Sequence, residues 1–376
     1  RLGGSCDDNS EQKRKSRQHW PPPFCGHFQP PSLYHIPHLT LSGPEWKLDL
    51  LWLPRGRRPI ILARTVWRGG IMAQRPVRVI VNPISGRGQD RAFPDRLRMH
   101  LVPRHFPCEI IRTEAPGHAR HLAESAPDDT HCVVSIGGDG THREVLSGLL
   151  GRPVPACVVP SGTENVFART FHLTGTLRET VELIQRGRPV ILDTGSASGH
   201  PFTMFSGAGF DAAVTQLVHA KRWGPIDRGA YYAPVARLWW QYAFPALRVV
   251  VDGRVVAEDA GLVVVANTPK YADRLVIAPR AIADDGLLDV VCYRTRSRWS
   301  MLWYYLQTKL GTHLKDRQVA YEQGRRVEVT CAEGEAPVQV DGDALLTTPV
   351  TYTVRPRSVR ILIPHRPDRV RSNQRI

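Results

Sequence analysis

The stretch Val133–Leu146, VVSIGGDGTHREVL, decides the fold because its hydrophobic period changes in the middle. VVSI is typical of the end of a buried strand, and THREVL resumes helical spacing. Between them lie Gly137, Gly138, Asp139 and Gly140. A glycine cluster costs backbone entropy, so it indicates a place where the backbone must be exposed. The stretch therefore predicts a strand at residues 131–136, a loop, and a helix that begins at Thr141.

The neighbouring segments repeat this alternation of strand and helix. Further strand-like runs occupy residues 77–82, 108–113 and 156–160, and helical spacing occupies residues 87–101, 117–125 and 141–150. The strand-like runs are continuously apolar, as in a parallel sheet that is covered on both faces by crossover helices. Residues 72–195 are therefore predicted to form an α/β domain.

The alternation of strand and helix ends at about residue 195, and strand-like runs then follow one another in quick succession. They occupy residues 202–205, 247–251, 261–267, 287–293, 326–330 and 338–340. Helical insertions interrupt them at residues 212–243 and 299–314, and a last run at residues 359–363 fits either sheet. The predicted fold class is α/β plus β, with a mainly antiparallel β-sandwich domain at residues 196–358.

The two ends of the chain carry most of its charge. The formal net charge is +15, of which residues 1–71 hold +6 and residues 365–376 hold +3. The first segment is rich in proline and has little periodicity, which predicts a poorly ordered basic extension, with Met72 as a candidate natural start. Because the basic excess lies in the ends, no nucleic-acid groove is expected. The seven cysteines are scattered without CxxC spacing, which favours free thiols in a reducing cytosol.

Three loops rich in glycine and hydroxyl groups follow strands of the predicted parallel sheet. Loop 1 is NPISGRG at residues 82–88, loop 2 is GGDG at residues 137–140, and loop 3 is PSGTEN at residues 160–165. Ligands bind at the carboxyl ends of such strands, and a helix N-terminus offers free N–H groups to phosphate. The negative Asp139 suits orientation of a magnesium ion or water, or capping of the following helix. The convergence of three loops predicts a phosphate site.

In this order and near this spacing, NPISGRG, SIGGDGTHREV and PSGTENVFAR resemble the diacylglycerol kinase catalytic domain family, which includes bacterial lipid kinases and sphingosine kinases. The resemblance covers about residues 75–364. It implies a Rossmann-like nucleotide-binding domain followed by a β-sandwich domain, with the active site in the cleft between them. It also implies an ATP-dependent kinase that phosphorylates a lipid hydroxyl, with ATP and Mg²⁺ as cofactors.

The resemblance implies a set of residues that contact ATP. They are Asn82, Gly86, Thr113, Gly137, Gly138, Asp139, Gly140, Thr141 and Thr163. Asn82 and Gly86 match the motif that closes over the phosphates. At the position where the family usually has Asn, this chain has Arg143, which suits pairing with a phosphate or with groups near Glu144. Val166 replaces a usual Asp and removes a carboxylate near the nucleotide.

Two further matches lie in the second domain. In IADDGLLD, at residues 282–289, the resemblance implies a magnesium ion held by the carboxylate of Asp285 and the backbone carbonyls of Ile282 and Leu287. Oxygen ligands suit this hard cation; the alternative is an acidic β-turn with Gly286 at positive φ. In VDGD, at residues 340–343, the resemblance makes Asp343 the general base on the lipid hydroxyl. An Asp-Gly hairpin turn is compatible with that role.

A membrane surface is the other expected partner, since lipid substrates reside there. The segment RWSMLWYYLQTKLGTHLK, at residues 298–315, and the aromatic segment at residues 231–244 suit a bilayer interface; the alternative is ordinary core helices. The protein is expected to be cytoplasmic and peripheral at the membrane. Oligomeric state is open. Alternative functions are a NAD kinase-like enzyme, which shares GGDGT but usually has an NxGxLGF stretch absent here, and an inactive nucleotide-sensing homologue.

Overall fold

The computed structural model describes residues 46–49, 64–67, 75–85, 90–220, 229–271, 275–294 and 297–364, with the backbone alone at residues 46–49, 64–67, 218–220 and 229–232. The chain divides into two units, Arg1–Gly70 and Ile71–Ile376. In the first unit, strand β1 (Trp46–Asp49) pairs antiparallel with β2 (Arg64–Trp67), a pairing that was not predicted. The remainder of the predicted extension, and the predicted tail at residues 365–376, lie outside the described residues.

The first domain of the second unit is an α/β layer built on four parallel strands. The strands are β3 (Val77–Val81), β4 (Cys108–Arg112), β5 (Cys132–Gly137) and β6 (Ala156–Pro160). Their spatial order is β4-β3-β5-β6, and every neighbouring pair is parallel. β5 is buried along its whole length, as expected for a strand covered on both faces. These strands confirm the predicted parallel sheet, with bounds that differ by at most one residue.

Helices cover this sheet. They are α1 (Phe93–Leu101), α2 (His118–Glu124), α3 (Asp139–Gly148), α4 (Val166–Thr170) and α5 (Leu177–Arg186). α1 begins with Pro94 in its first turn, where the missing N–H costs nothing, and buries Leu97 and Leu101 at helical spacing. α3 begins at Asp139, two residues before the predicted start, because the backbone of Gly138 is extended and the helical conformation starts directly after it.

The second domain is mainly antiparallel, as predicted. Its strands are β8 (His200–Phe202), β9 (Phe205–Gly209), β10 (Leu247–Val251), β11 (Arg254–Ala266), β12 (Leu288–Arg294), β13 (Val319–Gly324), β14 (Arg326–Cys331), β15 (Pro337–Val340) and β16 (Asp343–Thr347). Its helices are α6 (Phe210–Ala220), α7 (Gly229–Gln241) and α8 (Arg298–Lys309). A core of strand residues, including Tyr352 and Phe202, fills the space between its layers.

Two long strands join the domains: β7 (Arg188–Ala197) and β17 (Val350–Ile363). β17 pairs antiparallel with β14 near its start, Thr353 lying opposite Arg326, and parallel with β6 near its end, Ile361 lying opposite Ala156. β7 pairs with β17 along both parts, with an irregularity between Arg355 and Val359. The predicted strand at residues 359–363 is therefore the end of a strand that runs through both domains and joins their strands into one 15-stranded sheet.

The prediction of one continuous strand at residues 202–205 is wrong. The chain bends at Thr203 and Met204 and forms two strands, β8 and β9. The cause is Asp341, whose buried carboxylate accepts hydrogen bonds from the backbone N–H groups of Thr203, Met204 and Phe205 at 2.7–3.0 Å. These donors are therefore withdrawn from strand pairing. In the part of the chain that the structure describes, no helix is both long enough and apolar enough to cross a bilayer.

Candidate active site

The three predicted loops meet at the carboxyl edge of the parallel sheet. The Asn82 side chain of loop 1 donates from Nδ2 to Oγ1 of Thr141 at 2.9 Å, just beyond loop 2. The hydroxyl groups of Ser85 and Ser161 join loop 1 to loop 3 at 2.9 Å. The Ser161 N–H donates to the carbonyl of Gly137 at 2.7 Å. Gly86 lies outside the described residues, so its predicted contact with phosphate stays a prediction.

Loops 2 and 3 pack backbone against backbone. A Cβ placed on Gly162 would lie 2.6 Å from the Cα of Gly138, so a side chain there would push the loops apart. Gly140, by contrast, is exposed, and a Cβ on it would meet nothing within 4 Å. The N–H groups of the first turn of α3 have no partner within that helix. Free N–H groups and the positive end of a helix dipole are what the predicted phosphate site at this place requires.

Asp139 is engaged in a way that the sequence did not predict. Its carboxylate accepts hydrogen bonds from the N–H groups of Val166 at 3.0 Å and Phe167 at 3.1 Å. It therefore caps α4, the helix after loop 3, and not α3, in which it lies itself. Burial raises the pKa of Asp139, while the two N–H donors and Arg169 act in the opposite direction. The carboxylate thus fixes loop 3 against loop 2, and its predicted contact with the nucleotide stays a prediction.

Thr113 and Thr163 complete the predicted nucleotide set. Thr113 follows β4, and its N–H donates to the Val81 carbonyl at 2.9 Å, which places it beside Asn82 at the same sheet edge. Thr163 is exposed in loop 3. The described members of the predicted set therefore lie on one sheet edge, in positions that the topology alone brings together.

The VDGD sequence forms the tip of the hairpin between β15 and β16. Asp341 has a φ of 46° and Gly342 a φ of 84°, the left-handed pair that a two-residue hairpin turn requires. The carboxylate of Asp341 accepts the hydrogen bonds from the backbone of residues 203–205 that are described above. Asp343 is the first residue of β16 and is only partly buried. VDGD therefore forms a hairpin turn and also presents a carboxylate, so the two interpretations of this sequence are compatible.

Arg143 pairs with Asp343 across the cleft between the two domains. Nη2 of Arg143 donates to Oδ2 of Asp343, and the two side chains are 16% and 21% exposed. Within the part of the chain that the structure describes, Nε of Arg143 is buried and has no hydrogen-bond partner. Glu144 instead caps α2 by accepting from the N–H groups of Gly117 and Ala119 at 2.9 and 3.2 Å. The observed partner of Arg143 is Asp343, and the expected pairing of Arg143 with a phosphate stays a prediction.

The predicted metal loop combines an exposed carboxylate with a glycine at positive φ. Asp285 is exposed, and one of its oxygens accepts from the N–H of Leu287 at 3.0 Å. Gly286 has a φ of 76°, as the turn interpretation requires. Desolvation raises the pKa of Asp285, and the nearby carboxylates of Asp193 and Asp284 raise it further.

The same loop passes a test of fit for a hard cation. Burial raises the pKa of Asp289 to about 6, with a contribution from Asp285. Among the described residues, Oδ2 of Asp289 is a buried oxygen without a hydrogen-bond partner. Excess negative charge and oxygen donors suit Mg²⁺. No group of three or more His, Cys, Asp or Glu side chains in the described ranges has metal-binding geometry, so a site here needs the backbone carbonyls of Ile282 and Leu287.

Two carboxylates near the cleft were missed at the sequence level. Asp193 is buried and accepts at 2.6 Å from the N–H groups of Gly286 and Arg357, so it anchors the metal loop to β17. Asp211 follows β9 and accepts from Nε2 of Gln339 at 3.1 Å, and burial raises its pKa. The sequence held a signal for each of them. Asp193 interrupts the apolar strand run VILDTG, and Asp211 directly follows SGAGF, which is rich in small residues.

A cavity of about 500 Å³ opens beside α4. Its lining is partly apolar and partly basic and consists of Ala168, Arg169, His172, Leu173, Thr174, Lys270 and Tyr271. Lys270 donates from Nζ to the Arg169 carbonyl at 2.8 Å, and burial lowers the pKa of Lys270. Two of the lining residues, Ala168 and Arg169, belong to α4, whose first turn Asp139 caps.

Comparison with known proteins agrees with both halves of this geometry. Residues 76–197 match the model of the diacylglycerol kinase catalytic domain, and residues 205–363 match the YegS C-terminal NAD kinase beta sandwich-like domain. A diacylglycerol kinase of Mycobacterium tuberculosis is 29% identical over 297 residues, covering 77% of this chain and 95% of that protein. One of Staphylococcus aureus is 26% identical over 292 residues, covering 77% and 92%.

Solved structures give the same fold. The crystal structure of a diacylglycerol kinase from Bacillus anthracis has a TM-score of 0.58 and 19% identity, and the match covers 77% of this chain and 97% of that one. The described chain has the two domains in the same order, with the three loops and Asp343 facing one cleft. The chain therefore belongs to the family of proteins that carry a diacylglycerol kinase catalytic domain followed by a YegS-type C-terminal domain.

Proposed function

We propose that this chain is an ATP-dependent lipid kinase that transfers the γ-phosphate of ATP to the hydroxyl group of diacylglycerol, a sphingoid base or a similar lipid. The observation that carries the proposal is the contact between Arg143 and Asp343. It brings a carboxylate of the second domain to Arg143, the fifth residue of α3, whose N-terminus is the predicted phosphate site. Membership of a family named for a kinase supports the reaction class and ATP as the phosphate donor.

The phosphate groups of ATP fit the N-terminus of α3. The N–H groups of loop 2 donate to phosphate oxygens, and the exposed Gly140 lets the ligand approach the backbone closely. Asn82 and Ser85 close loop 1 over the same edge through Thr141 and Ser161. These groups hold the β- and γ-phosphates in place, which is the larger part of catalysis in phosphoryl transfer.

Asp343 acts as the general base in this proposal. The lipid hydroxyl oxygen forms a bond to the γ-phosphorus while the bond from that phosphorus to the bridging oxygen of ADP breaks. The hydroxyl proton passes to the carboxylate of Asp343. Arg143 holds this carboxylate in the cleft and brings positive charge close to the oxygens of the transferring group.

A magnesium ion would supply charge neutralisation on the phosphates when bound. The carboxylate of Asp285, with the carbonyls of Ile282 and Leu287, would hold it. Asp193 fixes this loop to β17 through the N–H of Gly286, so the carboxylate of Asp285 has a defined place relative to the two domains.

The test is transfer of label from γ-labelled ATP with magnesium to a panel of acceptors. The panel contains diacylglycerol and sphingosine in mixed micelles, and NAD as a water-soluble acceptor. We compare wild type with Asp343→Asn, which keeps an oxygen to accept from Arg143, and with Asp129→Asn, an exposed carboxylate in the turn before β5. We expect label in a lipid, a loss of about 10²-fold or more in Asp343→Asn, and no change in Asp129→Asn.

Two other outcomes would replace the proposal. Label in NAD alone would make the chain a NAD kinase-like enzyme, to which the name of its matched C-terminal domain also points. ATP binding without label in any acceptor would indicate a nucleotide-sensing protein. In that case the ion pair of Asp343 with Arg143 would be a purely structural contact.

A further inference from the structure

Helix α8 has two apolar faces, and only one of them is covered. Met301, Tyr304 and Thr308 are buried against the second domain at helical spacing. The opposite face carries five large apolar residues that are all exposed: Trp299, Leu302, Trp303, Leu306 and Leu310. These positions follow the spacing i, i+3, i+4, i+7 and i+11, which at 100° per residue forms a single stripe. Trp299 and Trp303 are 63% and 56% exposed.

Helix α7 extends the same surface. None of its side chains from residue 233 to residue 241 is buried, although the segment is mostly apolar. Trp240 is 59% exposed. The rings of Trp239 and Trp299 contact each other edge to face with 5.2 Å between centroids, and Nε1 of Trp239 donates to the Arg298 carbonyl at 3.3 Å. The two helices therefore present one continuous aromatic surface, here called the α7–α8 surface.

The charge on this surface has a single sign. Residues 229–243 and 297–315 contain Arg237, Arg298, Lys309 and Lys315 and no aspartate or glutamate. The Arg298 guanidinium lies over the Trp240 ring at 4.8 Å, and Nζ of Lys309 lies 5.9 Å from the centroid of Tyr305. Asp316, the acidic residue that directly follows the second segment, accepts a hydrogen bond from Nε2 of Gln307 at 3.1 Å.

We propose that the α7–α8 surface docks on a lipid bilayer that contains anionic lipids. Tryptophan and tyrosine beside arginine and lysine are the residues that favour the interface between head groups and acyl chains. Amphipathic helices with basic residues lie in that plane, and each cation near an anionic surface adds to the attraction. A second copy of the chain fits this surface less well, because it would bring cations against cations.

The surface is separate from the cleft, so docking goes beyond phosphoryl transfer and is testable without it. The metal loop precedes β12, and α8 follows the other end of that strand. A seven-residue strand is about 23 Å long, which separates the surface from Asp285 by that distance. Substitutions at the exposed Trp303 and Leu306 are therefore expected to leave the loop that carries Asp285 untouched.

The experiment measures flotation of the full chain with vesicles. One vesicle type contains phosphatidylcholine alone. In the other, about 30% of the phosphatidylcholine is replaced by phosphatidylglycerol, which gives the membrane a negative surface potential. The variant W303E/L306E places two carboxylates on the exposed stripe. Its matched control, M99E/V102E, makes the same change at two exposed apolar residues of the first domain. Circular dichroism and thermal unfolding check that both variants fold.

We expect wild type and M99E/V102E to bind the anionic vesicles at least about tenfold more tightly than the neutral ones, and W303E/L306E to lose this binding by about tenfold or more. Equal binding by W303E/L306E and wild type, or no binding by wild type, would overturn the proposal. So would a change of sedimentation coefficient in W303E/L306E with vesicle binding unaltered, since the surface would then join two copies. Turnover on a short-chain, monomeric lipid is measured in parallel, and its absence in wild type would count against the kinase function alone.

Discussion

The guanidinium of Arg143 and the carboxylate of Asp343 form an ion pair between residues that lie 200 positions apart in the chain. Arg143 belongs to α3 of the first domain, and Asp343 opens β16 of the second. Because less than a quarter of either side chain is exposed, water screens the pair only in part. The pair joins α3, the helix that follows loop 2, to the hairpin that carries the proposed base, and the strength of the pair is measurable.

Removing both partners of this pair should show a coupling that a surface pair lacks. In a double-mutant cycle with Arg143→Ala and Asp343→Ala, we expect a coupling free energy of about 1–2 kcal/mol, because either single change leaves a partly buried charge without its partner. The exposed pair of Arg120 and Glu124 serves as the control and should give less than about 0.5 kcal/mol. Urea unfolding provides both values, and equal couplings for the two pairs would contradict a role for partial burial.

Gly162→Ala should disturb the contact between loops 2 and 3. The added methyl group would lie 2.6 Å from the Cα of Gly138, so one backbone must move, at a cost of about 1–3 kcal/mol in the free energy of unfolding. Gly140→Ala is the matched control, since its methyl group would meet no protein atom within 4 Å.

Thermal unfolding and ATP titration separate the two glycine variants. We expect a lower Tm for Gly162→Ala and an unchanged or slightly higher Tm for Gly140→Ala, which replaces glycine in a helix. If phosphate approaches the backbone at Gly140, that variant should still bind ATP more weakly than wild type. Normal ATP affinity in Gly140→Ala would place the phosphates elsewhere.

Asp139→Ala should weaken α4 while α3 stays intact. The change leaves the N–H groups of Val166 and Phe167 without their acceptors, which costs about 1–2 kcal/mol. Asp139→Asn keeps one acceptor oxygen and should lose less. Amide hydrogen exchange at Val166 and Phe167 provides the local readout, and unchanged protection there in Asp139→Ala would mean that the cap contributes nothing.

The buried His142 should make stability depend on pH. Burial lowers its pKa to about 3, and Nδ1 is held by the Ser135 hydroxyl at 2.8 Å. Below about pH 6.5 this histidine is protonated in the unfolded chain, where its pKa is near 6.5, but stays neutral in the folded chain. The stability is therefore fully present above about pH 6.5 and falls as the pH drops toward 3.

Between pH 6.5 and pH 5 this histidine should account for a loss of about 2 kcal/mol in the free energy of unfolding. His142→Asn, whose side chain keeps a partner for Ser135 but does not titrate, should show a correspondingly smaller loss over the same range. Chemical unfolding at the two pH values gives the comparison. Parallel pH profiles for wild type and variant would show that another group carries the dependence.

The first domain could be predicted from sequence because its strands are short, apolar and separated by glycine loops. The second domain could be predicted only in part. β16, DALLT, is a half-exposed strand, and β13, VAYEQG, ends in polar residues, so neither shows a clear apolar period. β17 is interrupted by VRPRS in its exposed middle, which concealed that one strand passes through both domains.

The site could be predicted as a set of loops but not as a set of contacts. Parallel strands bring their carboxyl ends together whatever their side chains do, so loops 1 to 3 had to meet. Which carboxylate caps which helix depends on packing between distant segments. Asp139, Glu144 and Asp193 each accept from two backbone N–H groups in distant segments, and nothing in their local sequence specifies those partners.

The irregularity between Arg355 and Val359 limits how the cleft can change its width. Since β7 and β17 run unbroken from one domain to the other, the domains cannot swing freely about a linker, and any bending must concentrate where the ladder of the two strands is interrupted. Asp193 binds the backbone of Arg357 at that point and the backbone of Gly286 in the metal loop. A change in the opening angle therefore moves the loop that carries Asp285, so a cation held by that loop would be linked to the width of the cleft.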